Sequence, residues 1–497
     1  MTSVRFRTKL LSQWLRRYPT VFRIYRGISW TFSCSPFVPA VKRLLARPRV
    51  WLAQVANRIC PSWVAPRCWL GHYYAVHGEF RKATAIADDV LVRSRDFDER
   101  DRSTHFLSAI YSLQGKHDRA SQVTELIEKR NCELTRALQY DRLGLRFFHS
   151  YEFFPIGHLG RLDHHVKGEI LGMVDRRTNV LLGAPEEFSN PAYVRYWEKY
   201  FSLVTEPRTI SLLGPISYRL QQPQAPWRTR DGRRQQHAAF AREVQLRWEA
   251  EYRKPLLELS AEHRGHGYQL LRELGVPEGA WFAGLHVRDD RDVGSLRNSD
   301  IATYGLAIEA IAKRGGWVLR MGNPDMPPLP PFPNALDYAH SPKLADWMDV
   351  FIWAEGRFFI GTLSGPQMIP PTFGKPVAIT NCGPIPTVTG TKDDILLPKQ
   401  YRLHKEERYL SISERLFKCE HQQFIADLQR MDIEVIDNSA EELRDVAVEM
   451  MDRAEGRYKT TDQERAMHAR FAELAAVREM YPIKLARAFL SRYPDLL

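Results

Sequence analysis

Between Trp281 and Asn381, short apolar runs alternate with a helical pattern, and this alternation limits the fold more than any other feature of the chain. Four runs have the length and composition of buried strands: WFAGLHV, WVLRMG, RFFIGT and KPVAIT. Residues 299–314 carry apolar side chains at helical spacing and stop at Gly315. The alternation predicts an α/β domain with a mostly parallel, doubly wound sheet, in which ligands bind beyond the carboxyl ends of the strands.

Polar residues directly follow the first of these strands. His286 and Arg288 point to the same side of it, because side chains alternate along a strand. A guanidinium suits phosphate oxygens, although Arg288 could instead pair with Asp289, Asp290 or Asp292. His286 alone is as consistent with a core histidine as with a ligand contact.

Further candidates for ligand binding follow the later strands. Ser364 and Gly365 form a tight turn whose hydroxyl and backbone N–H groups suit a phosphate-sized anion. Asp346 and Asp349 share a helix face, where one can meet a sugar hydroxyl or both can form a solvated first turn. Lys399 is a candidate second cation or a surface lysine. The other candidates on this side are Arg320, Gly322 and Asp337.

A second α/β region precedes this one. RLGLRFFHS and NVLLGAP are strand candidates, and Gly157 and Gly160 flank His158 between them, so that backbone can approach a ligand closely. A helix starting near Leu162 would aim its N–H groups at that ligand, and Asn190 is a helix cap. His158, Asp163, His164 and His165 suggest zinc, but their spacing matches no common site, so we expect no metal.

The net charge of +12 lies in one part of the chain. Residues 1–60 hold twelve Lys or Arg and no Asp or Glu, which leaves 59 cations and 59 carboxylates in the remainder. A neutral body argues against a nucleic-acid enzyme. The basic arm has an apolar helical stripe from Val4 to Tyr18 and no run long enough to span a bilayer, which predicts contact with an anionic membrane surface. A basic helix packed on the protein and an organelle transit peptide are the alternatives.

Two helical hairpins are predicted between residues 69 and 130. In each, a glycine (Gly78, Gly115) is followed five residues later by an alanine (Ala83, Ala120). The offset of 37 is close to the tetratricopeptide period of roughly 34, so we expect an all-helical, tetratricopeptide-like extension with a possible protein partner. Six cysteines without metal-like spacing favour a reducing, cytoplasmic location.

These features divide the chain into five expected segments. They are a membrane-surface segment (1–60), helical hairpins (61–135), a Rossmann-like acceptor domain (136–275), a Rossmann-like donor domain (276–450) and C-terminal helices that pack back (451–497).

The motifs together resemble a bacterial family of glycosyltransferases associated with surface-polysaccharide synthesis. The resemblance covers roughly residues 140–497 and is carried by YWEKY, GLHVRDD, NSDIATYGLAIEAIAKRGGWVLRMGNPDMPPLP, DYAHSPKLADWMDVF, FFIGTLSGPQMI, FGKPVAITN, DDILLPK and AFLSRYPDLL. HVR at a strand end is more distantly similar to the donor motif of fucosyltransferases. Pro370-Pro371 and residues 161–165 depart from the apolar helix usual there.

This resemblance implies a GT-B-like architecture, with two Rossmann-like domains facing across a cleft. It implies a nucleotide-diphosphate sugar as donor substrate, no cofactor, and Arg288 as the arginine that binds the donor diphosphate. We expect inverting, metal-independent transfer of a hexosyl or deoxyhexosyl group to a lipid-linked or polysaccharide acceptor at the inner face of the cytoplasmic membrane. His158 and Asp163 are the candidate bases, His158 being preferred.

Two rival functions remain. A glycoside hydrolase needs two carboxylates across a cleft, and adjacent Asp289 and Asp290 diverge, which argues against it. A non-enzymatic membrane scaffold on a degenerate GT-B body would bind no nucleotide, so nucleotide titration separates it from the enzyme.

Overall fold

The computed structural model describes a large part of the chain. The described ranges are 79–93, 140–149, 155–210, 227–235, 237–289, 294–383, 390–419 and 424–497, with isolated positions elsewhere from residue 70 onwards. Contacts group the chain into two compact units, Met1–Leu143 and Gly144–Leu497. The predicted membrane-surface segment lies outside the described residues and stays a prediction. In the described part of the chain, no helix is long and apolar enough to cross a membrane.

The first unit contains helix α1 (Phe80–Arg93). Ala83 and Ala120, the small residues of the two predicted hairpins, are both buried. Gly78 and Gly115 lie outside the described residues, so the tetratricopeptide-like class stays a prediction.

The second unit begins with a small parallel sheet and the helices around it. The sheet has the order β1-β2-β3, as expected for consecutive β-α-β units. Asn190 accepts a hydrogen bond of 2.8 Å from the backbone N–H of Tyr193, as the capping pattern predicts. The elements are β1 (Leu145–His149), α2 (Ile156–Leu159), α3 (Arg161–Ile170), β2 (Thr178–Leu182), α4 (Pro191–Arg195), β3 (Phe201–Val204), β4 (Trp227–Arg228), β5 (Arg234–Gln235), α5 (His237–Ala250) and α6 (Ala261–Glu273).

The predicted strands and helices between Trp281 and Asn381 are present. Each strand pairs in parallel with its neighbours, and β6 and β10 are buried along their whole length, which is why they begin with the apolar runs FAGL and VAI. The elements are β6 (Phe282–His286), α7 (Gly305–Lys313), β7 (Trp317–Arg320), β8 (Ala335–Asp337), α8 (Asp346–Glu355), β9 (Phe359–Thr362), β10 (Val377–Cys382) and β11 (Ile395–Pro398).

A small antiparallel sheet follows, which the sequence did not predict. Its strands have the order β13-β12-β14 and cover a separate apolar cluster that includes Leu296, Tyr401 and Leu428. The elements are β12 (Gln400–Leu403), β13 (Arg408–Tyr409), α9 (Ile412–Lys418), α10 (Ile425–Gln429) and β14 (Ile433–Ile436). Short 3-10 helices occur at Tyr140–Leu143, Pro185–Glu187, Ile301–Tyr304, Tyr338–His340, Gly365–Met368, Pro370–Phe373 and Pro494–Leu496.

The C-terminal segment completes the large sheet. It comprises α11 (Ala440–Ala454), α12 (Asp462–Val477), β15 (Lys484–Leu485) and α13 (Arg487–Arg492). Strand β15 pairs with β11, which gives a seven-stranded parallel sheet of order β15-β11-β10-β9-β6-β7-β8. The Tyr481 hydroxyl donates a 2.7 Å hydrogen bond to Glu249 on α5, so this segment also contacts the first half of the unit.

One continuous apolar core joins the two parallel sheets. It extends from Phe148 to Leu497 and includes buried residues of both halves. Tyr193 on α4 and Thr372 form a buried hydrogen bond of 3.1 Å between the halves. The predicted boundaries at 275/276 and 450/451 therefore fall within one compact unit, and their status as domain boundaries stays a prediction.

Candidate active site at the carboxyl edge of the large sheet

The backbone at the ends of β6 and β9 is held together closely. His286 lies in register with Gly361, and a Cβ atom at Gly361 would lie 2.3 Å from the His286 carbonyl oxygen, so only glycine fits there. The backbone N–H of Arg288 donates a 2.8 Å hydrogen bond to the buried Thr362 hydroxyl. This contact fixes the first residues after β6 against the end of β9.

His286 and Ser364 form the central contact of the site. The imidazole Nδ1 lies 3.0 Å from the Ser364 hydroxyl, and both side chains are buried. Burial, followed by the positive charges of Arg320 and Arg288, lowers the pKa of His286 to about 4. The imidazole is therefore neutral at neutral pH, and the Ser364 oxygen keeps hydrogen-bonding capacity for a further group.

Arg288 is the charged member of this group. Its side chain is half-buried, and its charge acts on His286. Its carbonyl oxygen accepts a 2.9 Å hydrogen bond from the backbone N–H of Ser299, which anchors the far end of the loop after β6. The structure thus joins the imidazole to the serine-glycine turn and places the guanidinium close enough for its charge to act on the imidazole.

Arg320 and Asp337 have a different environment from the one we expected. The Arg320 guanidinium is fully buried, lies 3.2 Å from Asp337 and donates a 2.9 Å hydrogen bond to the Pro327 carbonyl oxygen. Asp337 also accepts a 2.8 Å hydrogen bond from the backbone N–H of Leu329. These two residues hold the loop between β7 and β8, so the structure gives them a positioning role. Gly322, with φ of 144°, begins this loop next to His286.

Lys399 and Asp346, the other predicted donor-side residues, both contact other segments of the chain. The Lys399 ammonium contacts Asp437 at 2.6 Å and the Asn298 carbonyl oxygen at 2.7 Å. The Asp346 carbonyl oxygen accepts a 2.9 Å hydrogen bond from Asn190, while its side chain is exposed in the first turn of α8. Both residues link separate segments of the chain, and neither belongs to the proposed donor site.

A buried polar network lies beside the site, and sequence patterns did not predict it. The Tyr304 hydroxyl lies 2.8 Å from the Thr380 hydroxyl, and Asn381 donates a 2.8 Å hydrogen bond to Ser299. Asn381 has a φ of 47° and exchanges two backbone-to-side-chain hydrogen bonds with Asn438. Asparagine adopts this left-handed conformation more readily than most residues, so an asparagine near the end of a strand was the one sequence feature that could have indicated it.

Helix α2 and Gly160 at its end lie against the serine-glycine turn from the other half of the unit. A Cβ at Gly157 would lie 2.8 Å from the Cα of Gly365, and one at Gly160 would lie 2.9 Å from Met368. The expectation that these glycines admit a ligand is therefore corrected, because they admit the backbone and side chain of the opposite half. His158, half-buried on α2, is placed next to this contact.

Asp163 is not available as a base. Its side chain is buried and lies 2.6 Å from the Lys167 ammonium, one turn along α3. The adjacent histidines diverge, since His164 packs against His237 and His165 lies 3.0 Å from Arg146. Across the described residues, no three His, Cys, Asp or Glu side chains converge as metal ligands.

Comparison with known proteins gives matches among solved structures alone, since no protein-family model and no curated protein matches. A family 9 glycosyltransferase from Veillonella parvula is 13% identical, with a TM-score of 0.26 over 47% of this chain and 66% of that one. E. coli ADP-heptose LPS heptosyltransferase II is 10% identical, with a TM-score of 0.29 over 51% and 89%.

A third match is TibC from enterotoxigenic E. coli, an iron-containing dodecameric heptosyltransferase solved with ADP-D-beta-D-heptose. It is 12% identical, with a TM-score of 0.31 over 50% of this chain and 61% of that one. The chain thus spans just under two thirds of the V. parvula protein and of TibC. These TM-scores are too low to support an inference about activity, so any functional assignment depends on the chemistry of the site.

Proposed function

We propose that this protein is a GT-B-like glycosyltransferase that moves a sugar from a nucleotide-diphosphate donor to a lipid-linked or polysaccharide acceptor. The observation that carries the proposal is the group formed by His286, Arg288 and Ser364. It combines a guanidinium with a hydroxyl oriented by a neutral imidazole, at the carboxyl edge of a parallel sheet. Ligands bind at this edge in open α/β sheets.

The proposed reaction breaks the bond between the anomeric carbon and the diphosphate oxygen. An acceptor hydroxyl forms the new bond to that carbon and loses its proton to a base, while the nucleoside diphosphate leaves with the bonding electron pair. Arg288 and the Ser364-Gly365 turn would stabilise the negative charge that grows on the diphosphate. In this scheme Arg288 serves as the cation, so transfer proceeds without a metal.

His158 is the proposed base. It lies on α2 next to Gly157, which packs closely against Gly365, so it is near the serine-glycine turn. Attack by an acceptor on the face of the sugar opposite to the leaving diphosphate would invert the anomeric carbon. Asp163 is excluded from this role by its ion pair with Lys167.

We further propose that residues 1–60 hold the enzyme at the cytoplasmic face of an anionic membrane, where a lipid-linked acceptor is accessible. The twelve cations of this segment support the proposal. A role in surface-polysaccharide synthesis would follow from such an acceptor. The alternative, a non-enzymatic scaffold, predicts that no nucleotide binds.

The experiment is a screen of nucleotide sugars by thermal shift, followed by measurement of nucleoside diphosphate release with the donor that binds. Arg288→Ala should lower turnover by roughly a hundred- to a thousandfold, because the variant loses a charge that acts in the transition state. Arg264→Ala is the matched control, since this arginine forms a partly exposed ion pair with Glu355 on α8. Near-normal release by Arg288→Ala would contradict the proposed site, and no binding by any nucleotide would favour the scaffold.

A further inference from the structure

The first compact unit contains an open groove that the proposed transferase reaction does not use. Its volume is about 580 Å³, within the range of ligand-binding clefts, which is roughly 300–1,000 Å³. Helix α1 provides one wall. The lining includes Phe80, Arg81 and Asp88 on this helix, together with Tyr111, Lys116 and Arg119.

The two walls are built from equivalent contacts 37 residues apart. The backbone N–H of Glu79 donates to the Tyr74 carbonyl oxygen at 2.8 Å, and that of Lys116 donates to Tyr111 at the same distance. The cation–π contact of Lys82 with Tyr74, at 5.1 Å, is likewise repeated by Arg119 and Tyr111, at 6.0 Å. The groove therefore lies between two copies of one local structure, and stacked helical repeats form concave binding surfaces in this way.

The groove has a positive but mixed surface. Arg81, Lys116 and Arg119 are exposed, and among the described residues no ion pair engages any of the three. Among the described residues of the lining, Asp88 is the one carboxylate. Phe80 and Tyr111 are half-buried and pack against the small apolar cluster of this unit, so they present fixed aromatic surfaces.

We propose that this groove binds an extended acidic peptide segment of a partner protein. Three cations match carboxylate side chains, whereas the aromatic rings match apolar side chains between them. Asp88 would repel a uniform polyanion such as an anionic glycan or a lipid surface, but it can accept hydrogen bonds from peptide N–H groups. The basic segment 1–60 of this chain is excluded as occupant because its charge has the same sign.

The test uses the full-length protein and a short fluorescein-labelled peptide that alternates Glu with Phe and Leu. Fluorescence anisotropy should show saturable binding that weakens with added salt, and a peptide with Lys in place of Glu should not bind. The double variant Arg81→Glu/Lys116→Glu should lower the affinity at least about tenfold, because attraction becomes repulsion.

Lys129→Glu/Arg136→Glu is the matched control. It makes the same charge change at exposed positions of the same unit that do not line the groove, and it should change the affinity less than about twofold. Circular dichroism would verify that both variants retain their helices. Equal loss in the two variants, equal binding of the Lys peptide, or binding of polygalacturonate or anionic vesicles in place of the Glu peptide would overturn the proposal.

Discussion

Each half of the second unit contains a buried arginine-histidine cluster beside its parallel sheet, and the two clusters differ in charge. In the first half, Arg146 contacts His165 and Asn179 and pairs with the carboxylate of Glu169. Burial alone would raise the pKa of Glu169, but its contacts with His165 and the charge of Arg146 lower it to about 2. This carboxylate stays ionised and balances the guanidinium.

In the second half, His286 is subject to two positive charges, those of Arg320 and Arg288. Asp337 balances Arg320. The difference teaches that a buried cluster balanced within itself stabilises the fold, whereas a cluster under positive potential at a strand end is suited to an anion. The following predictions test this distinction, beginning with the largest effect.

Removing the arginine of the balanced cluster should destabilise the protein strongly. Arg146→Ala leaves Glu169 charged and buried, so the free energy of unfolding should fall by about 3–5 kcal/mol in urea denaturation. Arg230→Ala is the control, because Arg230 pairs with Asp175 at an exposed position and should cost about 0–1 kcal/mol. A similar loss of unfolding free energy in both variants would show that the buried Arg146 cluster stabilises the fold no more than an exposed ion pair does.

Acid should destabilise the protein partly through His286. The folded-state pKa is lowered to about 4, so between pH 6.5 and 4 the unfolded chain binds a proton at this residue and the folded chain does not. Stability contributed above pH 6.5 is therefore lost as the pH falls towards 4. His286→Gln removes this titrating group, so the variant should lose less unfolding free energy between pH 6.5 and 4 than the wild type, by a few kcal/mol.

The measurement for His286 is urea denaturation at a series of pH values. Burial also lowers the pKa values of His164, His165 and the half-buried His237, so the comparison of variant with wild type isolates His286. His404→Gln, at an exposed position, is the control. If the unfolding free energy of His286→Gln fell with acid as steeply as that of the wild type, His286 would be solvated and the site would be open to water.

The smallest of these effects concerns the hydroxyl. Ser364→Ala should weaken nucleoside diphosphate binding by roughly ten- to a hundredfold, because a hydrogen bond to a charged group contributes roughly 1.5–3 kcal/mol. Ser341→Ala, on the same half of the unit, is the control and should leave the affinity unchanged. Titration calorimetry would measure both, and full affinity in Ser364→Ala would remove the hydroxyl from the proposed site.

Much of the fold could be predicted because the large sheet is buried on both faces. Strands such as β6 and β10 therefore begin with apolar runs, and the rule that polar residues collect at the carboxyl edge predicted that His286, Arg288 and Ser364 lie near one another. The antiparallel sheet was missed because β13 has two residues and β12 (QYRL) has a mixed pattern. Its pairing depends on tertiary contacts that no local pattern reports.

The partners of the site residues could not be predicted. Arg320 and Asp337 lie 17 residues apart, and Asn381 and Asn438 lie 57 apart, so the choice of each partner depends on the folded chain. The role of Gly157 was misread for the same reason: a glycine that admits a ligand and one that admits Gly365 look alike in sequence.

The most direct measurement is hydrogen–deuterium exchange with and without a nucleoside diphosphate. If Arg288 and the Ser364-Gly365 turn bind the same diphosphate, the ligand should slow exchange in both 286–289 and 362–368, and Arg288→Ala should abolish the protection in both. Protection of neither segment by any nucleoside diphosphate, or protection that persists in Arg288→Ala, would contradict the account.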